Sequence, residues 1–224
     1  MKRRMFHLVT KTWNPITGCY HNCIYCWARR LAEGRLRKTR KYSIGFRPAF
    51  HNYELKRRFN DGEFIFVCDM GDMFGSWVPS SWIKSVIKVI RRFPGSTFLL
   101  LTKNPSRYLE FIDEMPRNVI LGSTIETNND ELYLTSKISN APLPSKRYEA
   151  MKKLNWKLKM ISIEPILDFN LKTFIDWIQE IQPCFIYIGY DNYGCNLPEP
   201  SLSKTLNLIK ALRKVTKVYI KTLR

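Results

Sequence analysis

Residues 12–30 read TWNPITGCYHNCIYCWARR and hold three of the six cysteines in this 224-residue chain. Cys19, Cys23 and Cys26 follow a C-x3-C-x2-C spacing, and Tyr25 directly precedes the third cysteine. Three thiolates this close together can bind one soft metal centre from a single loop. A structural zinc site needs a fourth ligand, whereas an iron–sulfur cluster with three protein ligands leaves one iron open. The spacing therefore predicts a reactive metal site with these three cysteines as ligands.

The other three cysteines, Cys68, Cys184 and Cys195, are scattered along the chain. This pattern does not make a disulfide framework and is typical of a reducing compartment. The longest apolar runs, FIFVC and TFLLLT, fall far short of the ~20 residues that a membrane helix needs. The basic N-terminus lacks the apolar segment of a secretory signal. We therefore expect a soluble, cytoplasmic protein in which Cys184 packs at the start of a strand.

The net charge of +18 is unevenly distributed. Residues 1–58 hold fifteen Lys and Arg against two acids, a net charge of +13, and residues 59–224 carry the other +5. A basic block beside a metal loop suggests a polyanionic partner such as a nucleic acid, and the alternative is a solvated basic surface. Aromatic residues between the basic ones either stack bases or anchor a long connection. The candidate nucleic-acid contacts are Arg37, Lys38, Arg40, Lys41, Arg47, Arg57 and Arg58.

Short apolar segments alternate with segments of helical periodicity after the cysteine loop. Six or seven βα units with short links predict an α/β fold, with a buried parallel sheet covered by helices. Either an open doubly wound sheet or a partial barrel fits, and we expect one domain over residues 1–224. The predicted strands are 64–68, 96–102, 118–124, 157–164, 184–190 and 217–223. The predicted helices are 24–33, 82–93, 105–112, 145–154, 171–181 and 201–215.

Polar residues follow five consecutive predicted strands at the point where each strand ends. The carboxyl ends of parallel strands meet at one edge, where α/β proteins place their sites. Polar loop starts are common, but their recurrence at five strands favours a binding site. The residues are Cys68, Asp69, Asp72, Lys103, Ser123, Glu126, Glu164 and Tyr190.

The cysteine motif, with an aromatic residue before its last cysteine, resembles the signature of the radical S-adenosylmethionine (SAM) superfamily. Residues 14–29, NPITGCYHNCIYCWAR, are similar to the loop of spore-photoproduct-lyase-like proteins. Other segments resemble a phage- and prokaryote-type radical SAM family of unassigned function. These segments are GFRPAFH (45–51), FIFVCDMGDMFGSWVP (64–79), FLLLTKNPSRY (98–108), LGSTIET (121–127), ISIEPIL (161–167) and IYIGYDNYG (186–194). Trp27 departs from the usual Tyr, and Gly-Tyr-Asp-Asn (189–192) departs from a Gly-Gly-Glu-Ser type of loop.

The resemblance implies a partial (βα)6-type barrel and a 4Fe–4S cluster held by the three cysteines, with SAM chelating the open iron. An electron from the reduced cluster cleaves SAM to a 5′-deoxyadenosyl radical, which abstracts a substrate hydrogen. The implied SAM contacts are Asp72 with Asp69 for the ammonium, Lys103 for the carboxylate, Tyr25 near the adenine, and Ser123 and Glu126 for the ribose. Glu164 either lines the pocket or forms a salt bridge with a basic neighbour.

Cys68 and Tyr190 are candidate hydrogen-atom donors, and the alternative for Cys68 is a buried, inert thiol. We expect a monomer whose electron donor is a ferredoxin or flavodoxin. The leading interpretation is a radical SAM enzyme that modifies or repairs DNA or RNA. One alternative keeps the chemistry and makes the substrate a small metabolite or peptide. The alternative of another class is a non-catalytic, basic nucleic-acid-binding protein with a structural metal.

Overall fold

The computed structural model describes residues 5–224, so the first residues of the basic block, 1–4, lie outside the described part. Seven strands form one parallel sheet in the order β1-β4-β5-β6-β7-β8-β9, and β2 pairs with β3 in a small antiparallel ladder. The strands are β1 (Lys11–Trp13), β2 (Ile16–Thr17), β3 (Ala49–Phe50), β4 (Phe64–Val67), β5 (Thr97–Thr102), β6 (Val119–Thr124), β7 (Lys159–Ile163), β8 (Phe185–Ile188) and β9 (Lys217–Ile220). The helices are α1 (Trp27–Glu33), α2 (Ser80–Ile90), α3 (Asp130–Thr135), α4 (Pro144–Lys153), α5 (Leu171–Ile181) and α6 (Leu202–Leu212).

The α/β class and the parallel sheet predicted from the sequence are confirmed, and all six predicted strands are present. Two predicted helices differ from the structure for local reasons. α1 begins at Trp27, not at 24, because the Cys26 side chain caps it. Residues 105–112 are not an α-helix but a 3-10 helix over Pro105–Glu110. The sequence also missed β1, β2, β3 and α3, which are only two to six residues long and too short to show a periodicity.

The chain divides into two compact units that interleave along the sequence, and the prediction of a single domain stays untested. The first unit contains the chain up to Tyr20, Cys26–Thr102 and Arg107–Leu121. The second contains His21–Tyr25, Lys103–Ser106 and Gly122–Arg224.

In the first unit, the register of β1, β4 and β5 brings the segments that follow these three strands to the same edge of the sheet. Trp13 lies opposite Val67, and Val67 lies opposite Leu100. The buried Trp13 ring packs 5.3 Å from the ring of Phe59 and 6.5 Å from that of Phe98, which fixes the core under these strands. The segments that follow β1 and β4 therefore start side by side.

In the second unit, β7, β8 and β9 pair with Ile163 opposite Ile188 and Ile188 opposite Ile220. Every residue of β7 and β8 is buried, as expected for central parallel strands. α5 begins where the Asn170 side chain accepts a hydrogen bond from the backbone N–H of Thr173. The residues that follow β7 and β9 consequently emerge at the same edge.

Gly18, the residue before the first cysteine, is required where two backbones approach closely. The β2–β3 ladder places Thr17 opposite Ala49 and so carries residue 47 past Gly18. Gly18 has φ +82°, and a Cβ added there would lie 2.2 Å from the Arg47 carbonyl oxygen. A bridge between Gly18 and Gly71 ties the start of the cysteine loop to the segment after β4. Only glycine fits this position.

We expect Gly18→Ala to lower the free energy of unfolding by more than Gly62→Ala. Gly62 also has a positive φ of +77°, but no atom lies within 4 Å of its added Cβ. Both substitutions carry about 1–2 kcal/mol of backbone strain, and only Gly18→Ala adds a collision with the Arg47 backbone. Urea unfolding of the two variants measures the difference, and equal losses would contradict this close approach.

Candidate functional site

Two of the three loop cysteines belong to the first unit and are fixed around the start of α1. The Cys19 backbone N–H donates to the Phe46 carbonyl over 3.2 Å. The Cys26 sulfur accepts from the Arg29 backbone N–H over 3.3 Å and so caps the helix. Both cysteines pack against a small apolar cluster that contains Phe46 and Met70. The helix cap and this cluster together fix the direction of both thiols.

The middle cysteine, Cys23, lies in the second unit against residues 138–141. Its sulfur is 3.2 Å from the Ser139 hydroxyl, which also donates to the His21 carbonyl over 2.8 Å. The backbone N–H of Ile24 donates to the Ile138 carbonyl over 3.1 Å. This segment therefore holds the centre of the loop through both backbone and side-chain contacts.

None of the three loop cysteines is in a disulfide, and each residue is of intermediate exposure. Within residues 5–224, no three His, Cys, Asp or Glu side chains are gathered as they would be around a single metal ion. The ligands of a four-iron cluster need not converge on one ion, because each thiolate binds a separate iron atom of the cluster. Soft thiolate donors are also the ligands that iron–sulfur clusters take. The donor set present here therefore fits a cluster.

A buried ion network in the second unit joins the cysteine loop to two other elements. Glu126 is fully buried, and its Oε1 accepts hydrogen bonds from the Tyr25 hydroxyl and the Lys103 ammonium. Its Oε2 accepts from Arg147 Nη1 over 2.6 Å. Lys103 Nζ also donates to the Tyr25 hydroxyl over 2.6 Å and lies 5.2 Å from the centre of that ring. One carboxylate thus holds Tyr25, Lys103 and Arg147 together.

Arg147 is the member of this network that the sequence analysis missed. It lies on α4, fully buried, and donates to the carbonyls of Pro142 and Thr124 over 2.7 Å each. Its spacing with Ala150 and Met151, three and four residues later, puts all three on the buried face of the helix. The sequence did contain a signal for this contact. An arginine stands at a helix position where the spacing predicts a buried residue, and a buried arginine needs an acidic partner.

The charges of the network set the protonation of its members at neutral pH. Burial acts to raise the pKa of Glu126, but the Arg147 and Lys103 cations outweigh it and lower the pKa to about 2. Burial and the neighbouring Glu126 charge raise the pKa of Tyr25 well above its ordinary value. Glu126 is therefore an anion, and Tyr25 keeps the proton that it donates.

The acidic residues after β4 are also hydrogen-bonded. Asp72 is buried, and its Oδ1 accepts from the Thr102 hydroxyl over 2.6 Å and from the Phe74 backbone N–H over 3.0 Å. Asp69 accepts from the Asn14 amide over 2.5 Å. Burial raises the pKa of Asp69, and the Asn14 hydrogen bond opposes that rise. The first unit thus holds two carboxylates at the carboxyl end of β4.

Three other candidates are already engaged in protein contacts. Ser123 is fully buried on β6. Glu164 accepts from the Lys221 ammonium over 2.6 Å, which is the salt bridge that the sequence left open as one alternative. Burial raises the pKa of Glu164, and the Lys221 charge opposes that rise. The buried Tyr190 hydroxyl donates to the Pro200 carbonyl over 3.1 Å and lies 2.8 Å from the Thr205 hydroxyl, which joins it to α6.

The two cysteines outside the loop that drew predictions differ in their surroundings. Cys68 is buried directly after β4, and burial raises the pKa of its thiol, which stays protonated. The prediction that Cys184 packs at the start of a strand is wrong, because this residue is exposed and precedes β8. That position lies outside the strand, where the chain has not yet entered the buried sheet.

The predicted nucleic-acid contacts fall on the surface of the first unit. Six of the seven are exposed, namely Arg37, Lys38, Arg40, Arg47, Arg57 and Arg58. The seventh, Lys41, is half-buried and pairs with Glu54 over 2.5 Å. Within residues 5–224, no helix is long and apolar enough to cross a membrane.

A family model described as a protein of unknown function, DUF5131, matches residues 5–180. No curated protein has a sequence that matches this chain. Solved structures of spore photoproduct lyase have a similar fold. One, complexed with dinucleoside spore photoproduct, has a TM-score of 0.63 at 10% identity, covering 92% of this chain and 75% of that chain. A variant with bound AdoMet and the same dinucleoside has a TM-score of 0.55 at 11% identity, covering 91% of this chain and 61% of that chain.

Streptococcus suis SuiB, bound to the precursor peptide SuiA, is also similar, with a TM-score of 0.57 at 11% identity. The match covers 96% of this chain and 49% of that chain. Both the lyase and SuiB are radical SAM enzymes, and both are partial barrels. The fold expected from the resemblance is therefore confirmed.

We expect Glu126→Gln to lower the free energy of unfolding by about 3–5 kcal/mol, because it leaves the Arg147 charge buried without its anion. The matched control is Glu180→Gln, which breaks the exposed pair with Lys152 and costs far less. Chemical denaturation of the two variants at pH 7 compares them. Equal stability losses would show that the buried network contributes no more than a surface pair.

The pH dependence of stability gives a second test of the same carboxylate. Because the pKa of Glu126 falls from 4.5 to about 2 on folding, the unfolded chain binds a proton between these values that the folded chain does not. The stabilisation is complete above the unfolded value and is lost as the pH falls toward about 2. The unfolding free energy of the native protein should therefore fall more steeply with acid than that of Glu126→Gln. Parallel curves would contradict the lowered pKa.

Proposed function

We propose that this chain, which belongs to the DUF5131 family, is a radical SAM enzyme that modifies or repairs a nucleic acid. The observation that carries the proposal is the C-x3-C-x2-C loop directly after β2, in a fold shared with radical SAM enzymes. Cys19, Cys23 and Cys26 are its proposed 4Fe–4S ligands. The proposal is supported by the cysteine spacing, by the absence of a disulfide at these three residues and by their soft sulfur donors.

When bound, the reduced cluster supplies the electron that cleaves SAM to a 5′-deoxyadenosyl radical. The side chains of the protein must bind the two charged groups at the amino-acid end of SAM, its ammonium and its carboxylate. The Asp72 and Asp69 carboxylates suit an ammonium, and the Lys103 ammonium suits a carboxylate. Glu126 supports this assignment, because its carboxylate binds the Lys103 ammonium and is itself held by Arg147.

The other proposed cofactor contacts keep the roles that the resemblance implies. Tyr25 would lie near the adenine, Ser123 and Glu126 near the ribose, and Glu164 at the pocket wall. Of the two candidate hydrogen-atom donors, we favour Cys68, because it is buried as a protonated thiol. The Tyr190 hydroxyl is engaged with Pro200 and Thr205.

A nucleic-acid substrate is supported by the net charge of +18 and by the exposed basic side chains of the first unit. One structural neighbour, spore photoproduct lyase, is bound to a dinucleoside. A peptide substrate is the second candidate, because another neighbour, SuiB, is bound to a precursor peptide. The proposal also includes a ferredoxin or flavodoxin as electron donor, a cytoplasmic location and a monomeric state.

The test of the chemistry is anaerobic reconstitution with iron and sulfide. The native chain should bind about four irons, and with SAM and dithionite it should release 5′-deoxyadenosine. Cys23→Ala should lose both properties. Cys184→Ala is the matched control and should keep both, because that exposed cysteine lies outside the loop.

The metal content also decides between the enzyme and the alternative of another class. A chain that binds zinc but neither iron nor sulfide under these conditions would overturn the radical SAM proposal. It would favour a nucleic-acid-binding protein with a structural metal.

A further inference from the structure

Residues 35–58 of the first unit carry a dense positive charge. They contain nine Lys and Arg and one acid, Glu54, a net charge of +8. Glu54 pairs with Lys41, so this acid compensates only one of the nine basic side chains. Folding alone gives no reason to collect such charge, because like charges repel one another. A surface of this kind fits a chain of phosphates.

Tyr53 presents an aromatic ring within this basic surface. The residue is 49% exposed. The Arg40 guanidinium lies 5.8 Å and the Lys41 ammonium 5.9 Å from the centre of its ring. An exposed aromatic ring beside cations is the arrangement by which proteins stack an unpaired base while they hold its phosphates.

The segment that carries Tyr53 is anchored to the core. Tyr53 belongs to a 3-10 helix over Asn52–Lys56, and the buried Trp13 indole donates to the Glu54 carbonyl over 3.0 Å. The backbone N–H of His51 donates to the Pro15 carbonyl over 2.8 Å, and its Nε2 lies 2.8 Å from the Thr17 hydroxyl. A ring held in place loses little freedom when a partner binds.

We propose that Tyr53 stacks on an unpaired base while Arg40 and the exposed arginines around it contact the phosphates. This inference rests on the proposed function and names its substrate class: a nucleic acid with at least one unpaired base. A duplex shields its base faces by stacking them on one another, so it can offer the surface only its phosphates. A single strand offers both.

The experiment measures the binding of the full-length, iron-loaded protein to fluorescently labelled oligonucleotides of mixed sequence by anisotropy. Single-stranded DNA, single-stranded RNA and the matched duplexes are compared across a salt series. Both single strands should bind more tightly than their duplexes. Tyr53→Ala should weaken single-strand binding roughly tenfold, and Tyr53→Phe, which keeps the ring, should restore it.

The matched control is Ile44→Ala, which removes a 55% exposed apolar side chain from the same segment without removing a ring. It should leave single-strand binding unchanged. Arg40→Gln should weaken binding to all strands and reduce the slope of log affinity against log salt by about one. Unchanged iron content and melting temperature show that each variant is folded.

Equal affinity for single strands and duplexes, or equal binding by Tyr53→Ala and the native protein, would overturn the inference. Binding of an acidic peptide but of no nucleic acid would overturn it as well. These readouts need no SAM cleavage. If the protein binds single strands but never releases 5′-deoxyadenosine, the enzymatic proposal is contradicted and the proposed role of Tyr53 in binding is still supported.

Discussion

The buried carboxylate of Glu126 is the interaction on which the second unit depends. It sits at the end of β6 with no access to water, so its charge must be balanced within the protein. Arg147 on α4 and Lys103 after β5 supply that balance, and the Tyr25 hydroxyl completes the hydrogen bonding. A single constraint thus positions a helix, a strand end and the residue between the second and third loop cysteines. Loss of Glu126 would leave the buried Arg147 charge without its anion.

The first unit positions its part of the site by a different means, through backbone proximity. Gly18 allows the chain to pass the Arg47 carbonyl, and its bridge to Gly71 ties the loop to the segment after β4. Asn14 then connects that segment to the first loop, donating to Asp69 and accepting from the Met70 backbone N–H. Charge compensation therefore dominates one unit and close backbone packing the other.

Much of this arrangement could be predicted from the sequence, since the buried strands are continuous apolar runs and their ends carry polar residues. Lys103 and Glu126 were correctly expected after neighbouring strands, but their mutual ion pair was not. That pairing depends on Arg147, which lies on a helix far along the chain and enters the network only through tertiary packing. The short strands β1, β2 and β3 were missed because two or three residues carry no period. Tertiary hydrogen bonds, and not local preference, make those strands.

The distribution of charge separates what the fold needs from what a partner needs. The buried Glu126 and the half-buried Glu164 each have a cation at hydrogen-bonding distance, so Lys103, Arg147 and Lys221 serve stability. The exposed arginines of residues 35–58 lie at the surface, in a segment whose single acid is already paired with Lys41. Positive charge collected in one place raises the self-repulsion of the folded chain. A cost of this kind is offset when a polyanion binds, which ties the basic surface to recognition and not to folding.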